Sequence, residues 1–295
     1  MRLPPDFQFS QGSLQDYVDC PRRFQLRYLL RRAWPAVEAE PALEVERHVR
    51  QGAAFHRLVH RHALGMAPER LADAVDAEDL RRWWRNYLER GPADLPASRH
   101  PEIVLSSPLS GHRLVAKYDL VAVDAGRRAV IVDWKTNRRR PRREWLARRL
   151  QTRVYRYLLV RAGAYLNHGT PFRPQQVHMV YWFANFPADP AWGQRSCTFT
   201  YDAAQFDADE AYVASLIEEI EGEAERRGSE EFPLTSQERH CRFCPYRSLC
   251  RREVERGDFE ELGEESGLMD EALSELEWRS VGVSLDLEQV AEVEF

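Results

Sequence analysis

The stretch AKYDLVAVDAGRRAVIVDWKT (116–136) carries two carboxylates and an amine in a pattern suited to hydrolysis. Asp119 lies on the first of two strand-like runs, Asp133 and Lys135 lie on the second, and a glycine-containing turn separates them. Residues two apart on a strand share a face, so Asp133 and Lys135 point the same way. Two carboxylates and a backbone carbonyl, here that of Trp134, are the hard oxygen donors that Mg2+ or Mn2+ prefers. Such a cation neutralises a phosphodiester and acidifies an attacking water, while a nearby ammonium stabilises developing negative charge or orients that water. The bland alternative is a hairpin with polar residues on its wet face. Against it, Asp133 and Lys135 interrupt an apolar run, AVIVDWK, where an uncompensated charge is costly to bury.

Whether Asp119 joins the other two depends on the turn. Partners across an antiparallel hairpin have residue numbers with a constant total, and 119 and 133 total an even number. Only an odd-length loop, centred on Gly126 if the two are directly opposite, gives even totals; it would bring the Cβ atoms within roughly 5 Å. A two-residue turn would send Asp119 to the other face.

A second set is sulfur. Cys241, Cys244 and Cys250 lie within ten residues, and Cys20 stands alone in YVDCPRRF. Three crowded cysteines are poor disulfide arithmetic and better metal arithmetic, and need a fourth ligand for tetrahedral zinc or a cubane cluster. Cys20 and Cys197 are the available thiols; Cys197, in RSCTFTY, reads as a small strand residue.

The elements that must position these groups follow from periodicity. The N-terminal third reads as helical, with Ser13 as an N-cap before LQDYVDCPRRFQLRYLL and helical patterns over 43–64 and 77–90. Residues 91–101 read as a loop. Strands are expected over 102–109, 112–124 and 128–134, broken at Ser110-Gly111 and Asp124-Ala125-Gly126. A long helix is expected over 142–163, then strands at 175–183 and 196–201 and a helix over 207–226.

Composition bounds the rest. With 295 residues, 43% hydrophobic and 30% charged, the chain can bury a core, which excludes disordered and fibrous classes. No run approaches the ~18 apolar residues of a membrane span, and MRLPPDFQFS lacks the apolar stretch of a signal peptide, so a cytoplasmic location without membrane contact is expected. The net charge of −5 hides a split: residues 251–295 carry 15 acidic and 4 basic side chains, while 126–156 carry 12 basic and 2 acidic. The run RRRPRRE contributes Arg138, Arg139, Arg140, Arg142 and Arg143 directly after the carboxylate–lysine strand, the footprint of a nucleic-acid surface. Only Lys117 and Lys135 are lysines; an ammonium is a compact charge that arginine does not replace. The aromatics of RRWWRNYL (81–88) could stack on bases, with core packing as the plainer role. There is no Walker A sequence, so ATP-driven unwinding cannot come from this chain.

Taken together, residues 115–136 resemble the core of PD-(D/E)XK nucleases of the RecB type, with Asp119, Asp133 and Lys135 at the motif positions. LQTRVYRYLL carries Gln151 and Tyr155 as the family's Gln-x3-Tyr signature, and QGAAFHRLVH places His56 where these enzymes carry a helical histidine. Ala116, where many relatives have glycine, is a mild departure. Taken alone, His56 and His60 could instead be a helical zinc pair, although Arg57 stands where a zincin has its glutamate. The resemblance implies a Mg2+ or Mn2+ held by His56, Asp119, Asp133 and the Trp134 carbonyl, with Lys135 as the catalytic lysine, Gln151 and Tyr155 beside it and Glu102, at the start of the first strand, nearby. The cysteine spacing and the start Ser10/Ser13, Leu14, Tyr17, Cys20, Pro21, Arg22, Phe24 resemble the iron–sulfur branch of the same family, which includes AddB-type and CRISPR-associated nucleases. That implies a 4Fe–4S cluster on Cys20, Cys241, Cys244 and Cys250 joining the chain ends, with structural zinc as the competing occupant.

The expected fold is α/β, a restriction-endonuclease-like core with a central mixed sheet flanked by helices. An N-terminal helical region (1–100) precedes the nuclease core (101–230), a cysteine module (231–257) and an acidic tail (258–295). The expected function is a metal-dependent deoxyribonuclease, an exonuclease on single-stranded DNA or DNA ends, in repair, recombination or CRISPR adaptation, with a helicase or CRISPR-adaptation protein as partner. The alternative is a catalytically silent nucleic-acid-binding or assembly subunit that keeps the fold.

Overall fold

A computed structural model describes residues 2–32, 42–72, 75, 77–138, 140–186, 196–242, 244–252 and 254–255. The acidic segment 258–295 and Arg139 lie outside the described residues. Strand β1 (Gln8–Ser10) leads into helices α1 (Gln11–Asp19) and α2 (Pro21–Phe24), and then α3 (Ala42–Ala63), α4 (Pro68–Ala72) and α5 (Glu78–Arg90) follow. Strands β2 (Ser98–Pro101), β3 (Val104–Leu109), β4 (His112–Lys117), β5 (Leu120–Asp124) and β6 (Arg128–Lys135) form the middle of the chain. Helices α6 (Arg143–Arg148) and α7 (Leu150–Ala162), strands β7 (Val177–Phe183) and β8 (Ser196–Phe199) and helix α8 (Ala203–Arg227) complete it. The fold is mixed α/β, with two mixed sheets ordered β1-β4-β3 and β2-β5-β6-β7-β8, flanked by helices. Among the described residues no helix is long and apolar enough to cross a membrane.

Two hairpins of opposite parity build the sheets. Ser110 and Gly111 both have positive φ, the two-residue turn that suits strand twist, and the partners it joins total 221. The same total continues through the β2–β5 ladder, so residues 98–124 are one long hairpin. It bends at a corner where Tyr118 N–H donates to the Ile103 carbonyl and Glu102 N–H to the Asp119 carbonyl. The expected strand over 112–124 is therefore two strands in different sheets. Glu102 is not the start of a strand either, but a turn residue with φ of +57° at that corner. The loop expected over 91–101 ends in β2, an edge strand whose closing Pro101 and exposed Ser98 and Arg99 hide its character.

The second hairpin has a three-residue loop centred on Gly126 (φ +79°), and its partners total 252 throughout. Parity thus falls on the side that the chemistry requires.

Alternation along β6 serves two cores. Ala129 and Ile131 join a large cluster with α1, α7 and α8, while Val130, Val132 and Trp134 join a second one with Phe55 and Leu58 of α3 and Trp83 and Trp84 of α5. The RRWWRNYL aromatics are thus core residues. The β6–β7 pairing is parallel and buried on both faces, as parallel strands usually are.

Helix boundaries differ from expectation in three places, the first being Cys20, which is extended (φ −164°, ψ 108°) and interrupts the helix expected through LQDYVDCPRRFQLRYLL, separating α1 from α2. The N-cap of α1 is Ser10, with Ser13 as its reciprocal partner three residues on, so the capping signal lies one turn earlier. The long helix expected over 142–163 is broken at Arg149, which is extended (ψ 139°) with its guanidinium on the Trp145 ring and toward Asp19. The other expected helices and strands are found with small shifts of their ends. Gly126→Val leaves open space around the new side chain but forces a β-branched residue into the left-handed region. It is expected to lower stability in urea unfolding by about 1–2 kcal/mol.

Candidate active site

Asp133 and Lys135 continue the row of β6 that faces α7, and both are almost sealed from solvent, at 4% and 5% exposure. Lys135 Nζ lies 2.9 Å from Asp133 Oδ2 and donates to Gln151 Oε1 at 3.0 Å. The other end of that amide closes a triangle, Gln151 Nε2 donating to Asp133 Oδ1 at 2.6 Å. Gln151 is the second residue of α7, and Tyr155 follows one turn later. Burial and then the Asp133 charge raise the Tyr155 hydroxyl well above its ordinary range, so it stays protonated. The Tyr155 ring packs 4.8 Å from that of Tyr118.

Asp119 sits in the bend just before β5, and its number and that of Asp133 share the total of the ladder beyond. Trp134 N–H donates to Asp119 Oδ2 at 2.8 Å. From α3, His56 contributes both ring nitrogens, Nδ1 at 3.2 Å from Asp119 Oδ1 and Nε2 at 3.0 Å from the Trp134 carbonyl. Burial alone would raise the Asp119 carboxyl. His56, the Trp134 amide and the Lys135 ammonium outweigh it and hold Asp119 below the usual carboxylate range. His56, Asp119, Asp133, Trp134, Lys135, Gln151 and Tyr155 are thereby brought into one neighbourhood.

A family model described as the PD-(D/E)XK nuclease superfamily matches residues 8–251. The chain belongs to that superfamily. Members of the superfamily generally use divalent cations such as Mg2+ or Mn2+. No curated protein matches the chain. Among solved structures, a protein from Eubacterium rectale provisionally named an exonuclease is similar over 88% of this chain and 93% of its own, at 10% identity with a TM-score of 0.48. Another, SSO0001, is similar over 83% and 85%, at 13% identity with a TM-score of 0.34.

Among the described residues no group of three or more His, Cys, Asp or Glu side chains is gathered closely enough to hold a metal ion. His56 and Asp119 bond to each other, Asp133 bonds to Lys135 and Gln151, and a cation would exchange those contacts for its own. The chemistry of the donors fits a hard divalent ion: carboxylate oxygens, a carbonyl oxygen and one imidazole. Burial and then the Lys117 charge lower the proton affinity of His60. Glu102 pairs with Lys117 across the corner of the bent hairpin.

Cys20, Cys241, Cys244 and Cys250 line a single small pocket with Arg23, His240, Tyr246 and Arg252. Burial pushes the Cys244 thiol up to about 12, with Cys20 and Cys250 adding to the effect and Arg23 opposing it. Cys197 lies elsewhere, on β8, accepting from Arg143 Nη1 at 3.3 Å. Next to the pocket, Gln25 stitches the chain ends together: its amide donates to the Glu230 carbonyl at 2.7 Å and accepts from Phe232 N–H at 2.9 Å.

The basic run divides. Arg138, Arg142 and Arg143 are exposed; Arg140, half-buried, donates to the Ser196 carbonyl and Arg143 to that of Thr198, both against the edge strand β8. Sequence reasoning missed three residues around the site. Tyr181, beside Asp133 in the parallel ladder, places its ring 5.5 Å from Lys135 Nζ and its hydroxyl 2.7 Å from Thr152 Oγ1. His48 and Asn185 both hold the Thr136 carbonyl, at 2.9 and 2.8 Å, just past Lys135. His48 lies eight residues before His56 on α3, a spacing that could have drawn attention to it. Asn185 and Tyr181 carry no such signal.

In metal-free protein, Asp133→Ala leaves the Lys135 ammonium buried without its carboxylate and is expected to cost about 3–5 kcal/mol in urea unfolding. The double variant Asp133→Leu/Lys135→Met is expected to cost less, because no charge is left stranded.

Proposed function

We propose that the chain is a metal-dependent deoxyribonuclease that hydrolyses phosphodiester bonds in single-stranded DNA or at DNA ends. The observation that carries this reading is the Asp133–Lys135–Gln151 triangle with Asp119 held beside it by the Trp134 amide, in a chain of the nuclease superfamily. Asp119, Asp133, the Trp134 carbonyl and His56 would hold Mg2+ or Mn2+, which when bound supplies charge neutralisation at the phosphate and a more acidic water. Lys135, paired with Asp133, would present Nζ to the oxygen that gathers negative charge. Gln151 fixes the direction of that amine, and Tyr155 closes the buried side. Arg138 and Arg142, exposed members of the basic run, would track the DNA backbone, with Arg140 and Arg143, bonded to β8, shaping its wall.

The four cysteines of the pocket would hold a 4Fe–4S cluster, as in the RecB/AddB-like branch, with zinc as the competing occupant. Their convergence from both chain ends supports this, and the pocket lies away from the carboxylates, so its role would be structural. Such an enzyme would act with a helicase, in repair or recombination, or with a CRISPR-adaptation protein.

The test is degradation of end-labelled single-stranded DNA, duplex DNA and RNA with Mg2+, Mn2+ or chelator. Wild type is expected to degrade single-stranded DNA only with the cation, and Lys135→Ala and Asp119→Ala to fall at least about a hundredfold. An inert wild type, or undiminished cleavage by Lys135→Ala, overturns the proposal. For the cysteine site, anaerobically purified protein is expected to carry about four irons and four sulfides per chain. Stoichiometric zinc without iron overturns the cluster.

A further inference from the structure

Gln151 sits at the second position of α7, so the placement of that helix's first turn decides where its amide can reach. The first N–H groups of a helix need acceptors from outside it. The residue at the cap position is Arg149, whose side chain makes no capping bond. The acceptor comes instead from α1: Gln15 Oε1 takes Leu150 N–H at 3.2 Å. Gln15 is buried, and its Nε2 donates to Asp19 Oδ1 at 2.9 Å. Asp19 Oδ2 in turn lies 2.9 Å from Arg23 Nη2, 3.9 Å from Arg149 Nη1 and 4.0 Å from His240 Nδ1. Arg23 and His240 belong to the wall of the cysteine pocket, and Cys20 follows Asp19 directly.

An unbroken polar path therefore runs from the cysteine pocket to the triangle at Lys135. Each step is a contact between different elements: pocket to the end of α1, α1 to the start of α7, α7 to β6. We propose that Gln15 and Asp19 are positioning residues that set the first turn of α7, and through it Gln151 against Lys135 and Asp133, so that an ordered cysteine pocket becomes a condition of a competent centre. A local Ser or Asp at the cap would have fixed the first turn through the Gln151 or Thr152 N–H, without tying α7 to α1. The catalytic consequence rests on the nuclease reading above; the structural one does not. The cost of loosening follows from the geometry, because Gln151 bridges two charged groups at once and a small displacement breaks both bonds.

The test combines kinetics with amide hydrogen exchange on the full-length protein. Gln15→Met removes both bonds at similar volume and is expected to lower kcat about tenfold, with KM for single-stranded DNA within about twofold, and to speed exchange at residues 150–154. Gln15→Glu still accepts from Leu150 but sets a second carboxylate against Asp19, and is expected to recover kcat only in part. Cys20→Ser and Cys250→Ser are expected to speed exchange at the same amides in wild type, and to add nothing in the Gln15→Met background. Unchanged exchange at 150–154 in Gln15→Met, a change confined to KM, or additive effects of the cysteine variants overturns the proposal. If Gln15→Met does not fold, Asp19→Asn gives the same reading: faster exchange supports the proposal and unchanged exchange overturns it. If wild type cuts no nucleic acid, the nuclease reading fails, and exchange alone still decides the positioning role.

Discussion

An ammonium and a carboxylate buried side by side on a strand that is covered on both faces constrain everything near them. Taken out of water, Lys135 and Asp133 need each other, and each has bonding capacity left over. One amide able to donate and accept together, that of Gln151, completes both. Helix α7 must therefore begin over the end of β6, and the break at Arg149 lets it do so. Thr152 adds a second anchor, donating to the Leu146 carbonyl at 2.6 Å and meeting the Tyr181 hydroxyl.

The backbone around this pair is shaped by two turns of different length. Ser110-Gly111 makes an odd register and the loop at Gly126 an even one, so Asp119 lies between Glu102 on one side and Asp133 on the other. The sharp corner at Tyr118–Asp119 parts the two sheets and frees the Asp119 carboxylate to accept from the Trp134 amide rather than extend a ladder. His56 then arrives from α3, whose apolar face is held by Phe55, Leu58 and Val59 in the second core. One strand thus organises both layers: its odd residues make the chemistry and its even residues dock the helix that bears the histidine.

At the opposite end of α7 from its Gly163 terminus, the chain closes on itself. Phe232 is buried in the main core, Gln25 bonds the backbone on either side of it, and the Tyr246 hydroxyl donates to the Arg32 carbonyl at 3.2 Å. The cysteines gather where these two ends of the sequence meet. Arg23 and His240 of the pocket wall lie against Asp19, which Gln15 joins to the start of the helix that faces Lys135.

Much of the centre was legible in the linear sequence, because strand periodicity and turn parity are local properties. Asp133 and Lys135 share a face by spacing alone, Gln151 and Tyr155 by one helical turn, and the residues flanking Gly126 admitted the odd loop that aligns Asp119. The corner at Tyr118 was not legible, since an apolar alternating run from 112 to 124 looks like one strand until two sheets compete for its halves. Nor were Gln15, Asn185 and Tyr181, whose roles rest on contacts with residues tens or more than a hundred positions away. Residue types and their local periods set which groups could react. Only packing decided which amides and carbonyls stand beside them, because a hydrogen bond between distant segments leaves no trace in the spacing of either one.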